Sequence, residues 1–364
     1  MSERPLVTVV IPTYNEADNV RPLYERLSKA LAPYDYELLF VDDGSPDGTA
    51  DRVRELMSSD PRVRLILRTG VRGLGTAIID GIRASKGRYV VVMDADLQHP
   101  PDVIPAMLEA AERTGADIVV ASRYARGGGV EGWSPVRRLI SWGATVIAKL
   151  LVPESRRTTD PMSGFFLVRR EKVGIDYVNP RGYKALLEIL YRNPAAKVVD
   201  VPYVFGRRLS GMSKLGLRTI IEYLWHVIKI SRPVKFAVVG AVGTGVNEGV
   251  TYLAMLAGLA YTYAYAVGIE VSILGNFALN DRWTFRDRRS RPWPSRLLRY
   301  HVMVAPAGLT IYFVAELLAR LTHANPLLAL FIGILAGFVV NYTLSARKVW
   351  TLSPYKVASY VDKH

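Results

Sequence analysis

From about Phe236 the sequence becomes four apolar stretches, roughly 235–257, 261–280, 300–320 and 325–345. Each is about 20 residues long, the length that spans a bilayer core. Buried helices of a soluble domain are the alternative, and a membrane domain is expected. Glu248, Glu270, Asn276 and Glu316 fall inside the stretches. Carboxylates are costly in lipid, so these are predicted to face the bundle interior. Gly240, Gly243, Gly245 and Gly249 suit close helix packing. The connection between the second and third stretches carries Arg282, Arg286, Arg288, Arg289, Arg291, Arg296 and Arg299, while the other two connections are nearly uncharged. The flanks Lys229, Arg232, Lys235, Arg347 and Lys348 are also basic. If all four stretches cross, every basic segment falls on one side. Both termini and the preceding residues are then expected in the cytoplasm.

Residues 1 to about 230 read as soluble α/β. Strand candidates are Leu6–Ile11, Tyr36–Val41, Val63–Leu67, Tyr89–Met93 and Ile118–Ala121. Amphipathic helical patterns lie between them at Asn19–Leu31, Thr49–Met57, Leu74–Ala84 and Val103–Arg113. This alternation implies βαβ units and a mostly parallel, Rossmann-like sheet. The N-terminal apolar run Leu6–Ile11 is too short for a secretory signal. The chain has no cysteine, which excludes disulfides and thiolate metal sites. Its net charge of +14 points to anionic lipid, phosphate or nucleic acid. A mean hydropathy of +0.13 argues for membrane lipids and against nucleic acid.

In open α/β sheets ligands bind at the carboxyl ends of strands. Three such ends carry distinctive residues. Leu6–Ile11 runs into Pro12-Thr13-Tyr14-Asn15-Glu16. Proline is not expected within a central strand, so a loop is predicted there. Tyr36–Val41 runs into Asp42-Asp43-Gly44-Ser45, and Tyr89–Met93 runs into Asp94-Ala95-Asp96-Leu97-Gln98-His99. An aromatic ring can stack on a base, and carboxylates can accept from base or ribose donors. Two carboxylates one residue apart suit a hard divalent cation, which takes carboxylate and phosphate oxygens. Taken singly, each segment also reads as a turn or a helix cap, with Asn15 and Asp47 the capping candidates. No Gly-x-Gly-x-x-Gly follows the first strand, which argues against a dinucleotide enzyme.

Together these segments resemble the family 2 glycosyltransferases of GT-A fold. Asp160-Pro161-Met162-Ser163-Gly164-Phe165-Phe166 is similar to the dolichyl-phosphate mannose synthase branch, with Met162 where valine is usual. The resemblance implies that Pro12, Tyr14, Glu16, Val41, Asp43 and Asp94 bind the nucleotide, and that Asp94, Asp96 and Gln98 surround Mg²⁺ or Mn²⁺. It implies that Arg123 and Arg137 receive the acceptor phosphate, and that Arg208, with Ser213 and Lys214, closes over the donor diphosphate or the acceptor phosphate. Asp96, Arg123, Arg137, Arg208 and Lys214 are thus the expected catalytic set. Guanidinium matches phosphate bidentately, which fits arginine in these roles. Arg138 and Arg207 are adjacent rivals that spacing cannot separate from Arg137 and Arg208.

The implied reaction moves mannose from GDP-mannose to a polyprenyl (dolichyl) monophosphate with inversion. UDP-glucose is the alternative donor. A lipid-linked sugar translocase with a regulatory soluble half is the alternative of another class. A processive synthase is disfavoured because Gln98 is the sole glutamine, which leaves no Gln-x-x-Arg-Trp. His99 is expected to be structural, since an anionic acceptor needs no general base.

The second half resembles the four-helix GtrA-like membrane family. Asn276-Phe277-Ala278-Leu279-Asn280-Asp281-Arg282-Trp283-Thr284-Phe285 has a counterpart in Asn341-Tyr342 through Arg347-Lys348-Val349-Trp350, which suggests two related hairpins. Trp283 and Trp350 are expected to be interfacial anchors. The domains expected are 1–232, catalytic, with basic amphipathic helices over about 134–152 and 214–230 lying at the membrane interface; 233–352, with four transmembrane helices; and a tail, 353–364.

Overall fold

A computed structural model describes residues 4–70, 73–175, 184–206, 217–322 and 325–351. The chain divides into two compact units between Ile230 and Ser231.

The first unit contains strands β1 (Val7–Thr13), β2 (Tyr36–Asp42), β3 (Val63–Leu67), β4 (Tyr89–Val92), β5 (Ile118–Ser122), β6 (Gly129–Val130), β7 (Phe166–Arg169), β8 (Val198–Pro202) and β9 (Val204–Phe205). Its helices are α1 (Ala17–Ala30), α2 (Thr49–Ser59), α3 (Leu74–Ala84), α4 (Ile104–Thr114), α5 (Pro135–Leu151), α6 (Ala185–Arg192) and α7 (Leu217–Ile230). The main sheet has the order β3-β2-β1-β4-β7-β5-β8. Only β7 runs antiparallel to its neighbours. Strands β6 and β9 pair separately.

The sheet is covered on both faces, which is why its strands are almost uninterrupted apolar runs. Successive side chains alternate between the faces. Val9, Ile11, Phe40 and Val91 pack against Leu23 and Leu27 of α1 and Met107 of α4. Val10, Leu39, Val41 and Val92 pack against Ile78 and Ile82 of α3 and Ile189 of α6. A Cβ at Gly81 would run into Val10, so glycine lets α3 lie close on β1.

Strand β1 continues through Pro12 to Thr13, against the expectation of a loop. Its pairing with β4 ends at Val10, so at Pro12 only β2 remains alongside. The missing N–H therefore orphans no partner on the β4 side.

The second unit contains α8 (Arg232–Leu256), α9 (Tyr261–Leu279), α10 (Trp293–Thr322) and α11 (Pro326–Leu344). Among the described residues two segments, Trp293–Leu321 and Pro326–Val349, are long and apolar enough to cross a membrane. Helices α8 and α9 dilute their apolar residues with glycine, tyrosine, Asn247, Glu248, Glu270 and Asn276. Within each hairpin, small residues bring backbones together. The Ser272 hydroxyl donates to the Gly243 carbonyl at 2.9 Å, and a Cβ at Gly333 would stand 2.7 Å from the Ile311 carbonyl oxygen.

The two similar helix endings adopt the same structure. Helices α9 and α11 each run into a five-residue π-helical turn, Asn280–Thr284 and Ser345–Val349. The residues that follow, Phe285 and Trp350, stack with centroids 4.6 Å apart and planes within 9°. Trp350 is fully buried, which corrects its reading as an anchor. Its indole N–H donates to Asp281 at 2.8 Å, and Arg296 grips the same carboxylate bidentately at 2.8 and 2.9 Å. Trp283 is exposed, with the Lys235 ammonium 5.9 Å from its ring centre. The expectation of inward carboxylates also fails. Glu248 and Glu270 are exposed. Glu270 is 3.0 Å from His301, and Glu316 is 2.5 Å from Arg320. The polar side chains between α8 and α9 are instead the neutral Asn247 and Asn276, which lie against Gly268 and Gly243.

Candidate active site

Strands β1 and β2 run in register, with Pro12 beside Val41 and Thr13 beside Asp42. Tyr14, Glu16 and Asp43 therefore emerge at one corner of the sheet. Asp42 is consumed in building that corner. It accepts from the Thr13 hydroxyl (3.1 Å), the Ser45 N–H (2.9 Å) and the Ser45 hydroxyl (2.5 Å). The Ser45 oxygen in turn accepts from the Asn15 N–H, while Asp47 accepts from Ala17 and Thr49 and so ties α1 to α2. Asp43 is buried, ion-paired to Arg68, and accepts the Gly73 N–H at 2.7 Å. Arg68 also reaches Asp80 at 3.0 Å and Thr76 at 2.7 Å. Tyr14 and Glu16 are half-buried, and Glu16 accepts from the Asn19 amide at 2.7 Å.

At the end of β4 the chain turns sharply. Leu97 is buried with φ +62°. This left-handed conformation costs a branched residue about 1–3 kcal/mol, which the surroundings must offset. His99 is one such support. Its Nδ1 accepts the Asp94 N–H at 3.0 Å, which assigns the ring proton to Nε2. Burial drives its pKa down to about 4. The ring stacks on Phe165 at 5.2 Å and meets Phe205 edge-on at 5.4 Å. Enclosed in this way, it is a structural support, as expected from the sequence. Gln98 is the second support. Its side-chain amide donates to the Gly206 carbonyl at 3.0 Å, and its own carbonyl accepts the Gly206 N–H at 2.9 Å. Asp96 accepts the Gln98 N–H at 3.2 Å.

The Asp94 side chain is 37% exposed. A Cβ at Gly164 would stand 3.3 Å from its Oδ2 and from His99 Cε1, so glycine keeps the carboxylate uncrowded. Asp94, Asp96 and the Gln98 side-chain oxygen are the oxygen donors that this loop carries, the type that a hard divalent ion completed by phosphates takes.

At the end of β5, Arg123 is buried and grips Asp160 bidentately, Nε at 2.7 Å and Nη2 at 2.8 Å. Its Nη1 makes no hydrogen bond among the described residues. Burial works against the charge, but Asp160 raises the arginine's pKa above its ordinary value. Arg137, in the first turn of α5, lies over the Trp133 ring at 4.4 Å, and Arg123 lies 5.4 Å from the same ring. Arg137 is half-buried against this ring, and Arg138 is exposed. The Lys184 ammonium donates to the Met162 carbonyl at 3.1 Å. Burial and neighbouring Arg123 push its pKa down to about 8.

Helices α5 and α7 pack together through Ala148, Val152, Val227 and Ile230, and the Tyr223 hydroxyl donates to the Ala144 carbonyl at 2.6 Å. Their other faces expose Val136, Leu139 and Trp142 (59%) on α5, and Ile221, Trp225 (69%) and Ile228 on α7.

The structure thus brings Pro12, Tyr14, Glu16, Val41 and Asp43 to one corner, and gathers Asp94, Asp96 and Gln98 at the end of β4. Arg123 and Arg137 share one ring. Arg208, Ser213 and Lys214 lie outside the described residues. Sequence reasoning missed Trp133, Arg68 and Lys184. Arg137 lies only four residues from Trp133, but the contacts that place these residues at the site, Trp133 with Phe205, Arg68 with Asp43 and Lys184 with Met162, form between segments apart in sequence.

Residues 8–174 match glycosyl transferase family 2, and residues 235–350 match the GtrA/DPMS transmembrane domain. This makes the first unit GT-A-like and the chain a membrane protein. A dolichol-phosphate mannosyltransferase of Pyrococcus furiosus is 43% identical over 351 residues, covering 94% of this chain and 99% of that protein. The Saccharomyces cerevisiae protein of the same name is 39% identical over 229 residues, 60% of this chain and 84% of its own. A glucosyl-3-phosphoglycerate synthase from Mycobacterium tuberculosis, solved with Mn²⁺ and UDP-glucose, is similar with TM-score 0.46 and 22% identity, covering 62% of this chain and 77% of that one.

Proposed function

The chain belongs to the dolichol-phosphate mannosyltransferase family, and from that premise we propose that it transfers mannose from GDP-mannose to a dolichyl-type polyprenyl monophosphate. The observation that carries this reading is that the same sheet edge bears the Asp94/Asp96 pair at the end of β4 and Arg123, with Arg137, at the end of β5.

Tyr14, Glu16 and Asp43 hold the nucleoside. Asp94, Asp96 and Gln98 would hold Mg²⁺ or Mn²⁺, which when bound neutralises charge developing on the departing diphosphate. Arg123 and Arg137 take the acceptor phosphate, and Lys184 adds a third cation. Arg208, Ser213 and Lys214 keep the phosphate roles that the family resemblance implies. A phosphate monoester has its second pKa near 6, so the acceptor oxygen is already anionic at neutral pH. It attacks the anomeric carbon as the bond to the diphosphate oxygen breaks, which inverts that carbon. The protein supplies position and relief of charge repulsion, not a base.

We also propose that residues 1–232 form the catalytic domain, with α5 and α7 lying at the membrane interface. Their exposed apolar side chains stand beside Arg137, Arg138, Lys149 and Lys229. Residues 233–352 would cross four times, with catalytic domain and termini cytoplasmic and residues 353–364 as a tail. Exposed Tyr252, Tyr261, Tyr263 and Tyr265 flank the α8–α9 connection, as an aromatic belt at the far surface would.

Transfer of radiolabelled sugar to a polyprenyl phosphate, from GDP-mannose and UDP-glucose in parallel, tests the donor. Transfer from GDP-mannose alone is expected, and transfer from UDP-glucose alone would overturn that assignment. Asp96→Ala should abolish transfer in a folded protein, and retained transfer would remove Asp96 from the metal site. The chain has no cysteine, so single cysteines report topology. In sealed right-side-out vesicles an impermeant maleimide should label Leu259→Cys but not Arg286→Cys. Equal labelling of both would refute the crossing of α9, and the reverse pattern would refute the orientation.

A further inference from the structure

Two like charges do not gather without a reason, and Arg123 and Arg137 come from different elements. Arg123 ends β5, and Arg137 lies in the first turn of α5. Both guanidiniums lie on the Trp133 indole, at 4.4 Å for Arg137 and 5.4 Å for Arg123. The negative face of an indole attracts cations, which lets one ring hold two of them near each other.

Trp133 is itself anchored towards the metal loop. It meets Phe205 edge-on at 5.6 Å, and Phe205 meets His99 at 5.4 Å. His99 accepts the Asp94 N–H at 3.0 Å. A continuous aromatic chain, His99–Phe205–Trp133, therefore connects the backbone that carries Asp94 to the ring that carries Arg137. The local backbone supports this placement. Strand β6, just before Trp133, pairs with β9, which contains Phe205. The Glu131 N–H donates to the Phe205 carbonyl at 2.9 Å.

We infer that Trp133 is a positioning residue for the acceptor. Its indole sets the spacing of Arg123 and Arg137 to each other and to the metal loop, and so fixes where a phosphate monoester stands relative to the donor diphosphate. This rests on the reading of the two arginines as the acceptor-phosphate site. Trp133 touches neither substrate in this role and acts through the guanidiniums.

The test uses the full chain in detergent micelles with GDP-mannose and a polyprenyl phosphate. Trp133→Leu removes the π-face, Trp133→Phe keeps a smaller one, and Arg137→Ala checks the underlying reading. Trp133→Leu should raise the acceptor KM by about tenfold and leave the donor KM within about twofold. Trp133→Phe should restore the acceptor KM to within about threefold of the parent, a rescue that bulk packing alone would not require. If Arg137→Ala raises the acceptor KM and Trp133→Leu does not, the positioning role falls while the acceptor site stands. If Trp133→Leu raises both KM values together, Trp133 is only a packing residue. If Arg137→Ala leaves the acceptor KM unchanged, the reading of the arginines falls and takes this inference with it.

Discussion

Among the described residues, each unit of this protein contains one buried arginine gripping one buried aspartate bidentately. In the first unit Arg123 holds Asp160 at 2.7 and 2.8 Å, and in the second Arg296 holds Asp281 at 2.8 and 2.9 Å. The two pairs differ in what is left over. Arg296 places Nη1 on the Arg291 carbonyl, and Asp281 also takes the Trp350 indole N–H. All three Arg296 side-chain nitrogens are thus bonded, the exposed Arg289 comes within 3.8 Å of the same carboxylate, and with stacked Phe285 and Trp350 beside it the network fastens the ends of two similar hairpins. Arg123 keeps Nη1 without a hydrogen bond among the described residues, with Arg137 and Lys184 nearby. A buried ion pair is therefore not evidence of a site. The donor it leaves unspent, and the charges assembled around that donor, are what suit Arg123 to a phosphate.

Paired substitutions sharpen this contrast, and they give the largest effects expected. Removing one partner strands a buried charge and costs about 3–5 kcal/mol, whereas replacing both partners is often nearly neutral. Asp281→Ala and Asp160→Ala should each lower the thermal midpoint of the full chain. Arg296→Met with Asp281→Asn keeps an acceptor for Trp350 and should recover most of the lost stability together with transfer activity. Arg123→Met with Asp160→Asn keeps an acceptor for the Arg123 N–H and should recover stability too, yet transfer should stay down by about 100-fold or more, as when a positioned transition-state donor is lost. Full activity in that second pair would break the distinction, because both ion pairs would then be scaffolding only.

The same distinction explains how much could be read before the fold was in hand. The parallel strands and their helices were legible because each apolar run ends in turn residues. Strand β3 and helix α3 fall on their expected bounds, Val63–Leu67 and Leu74–Ala84. Strand β7 was not legible, since four residues inserted antiparallel between β4 and β5 take their direction from tertiary pairing. The Asp-Ala-Asp strand end was legible as a candidate site because its carboxylates, their spacing and the preceding strand are contiguous. The roles of Trp350 and Trp283 were not, because Trp283 lies within its turn while Trp350 follows its own, in the place of Phe285, and packing buries that place. Arg137 and Arg138 likewise become different residues only once Trp133 has a place. What sequence spacing omits is the meeting of loops: Asp43 with Arg68, Arg123 with Asp160, and Lys184 with both Arg123 and Met162.

Lys184 carries the smallest effect and the finest test of the comparison. Burial is the main cause of its depressed pKa of about 8, and Arg123 adds to it while Asp160 opposes. Of the two partners, Arg123 acts on Lys184 more strongly than Asp160 does. The sign follows directly. Lys184 is charged below pH 8 and loses its proton as the pH rises through that value, so a phosphate held partly by Lys184 should be held less well above it. The acceptor KM of the parent protein should rise by about tenfold across that limb, the scale of one charge-assisted contact. Lys184→Arg, which stays charged, should flatten the limb. In the folding equilibrium the unfolded chain binds this proton up to about pH 10.4 and the folded chain only to about 8. Stability contributed through Lys184 therefore rises with pH between those values. A limb that persists unchanged in Lys184→Arg would assign the titration to another group and leave Arg123 and Arg137 as the only cations argued for the acceptor.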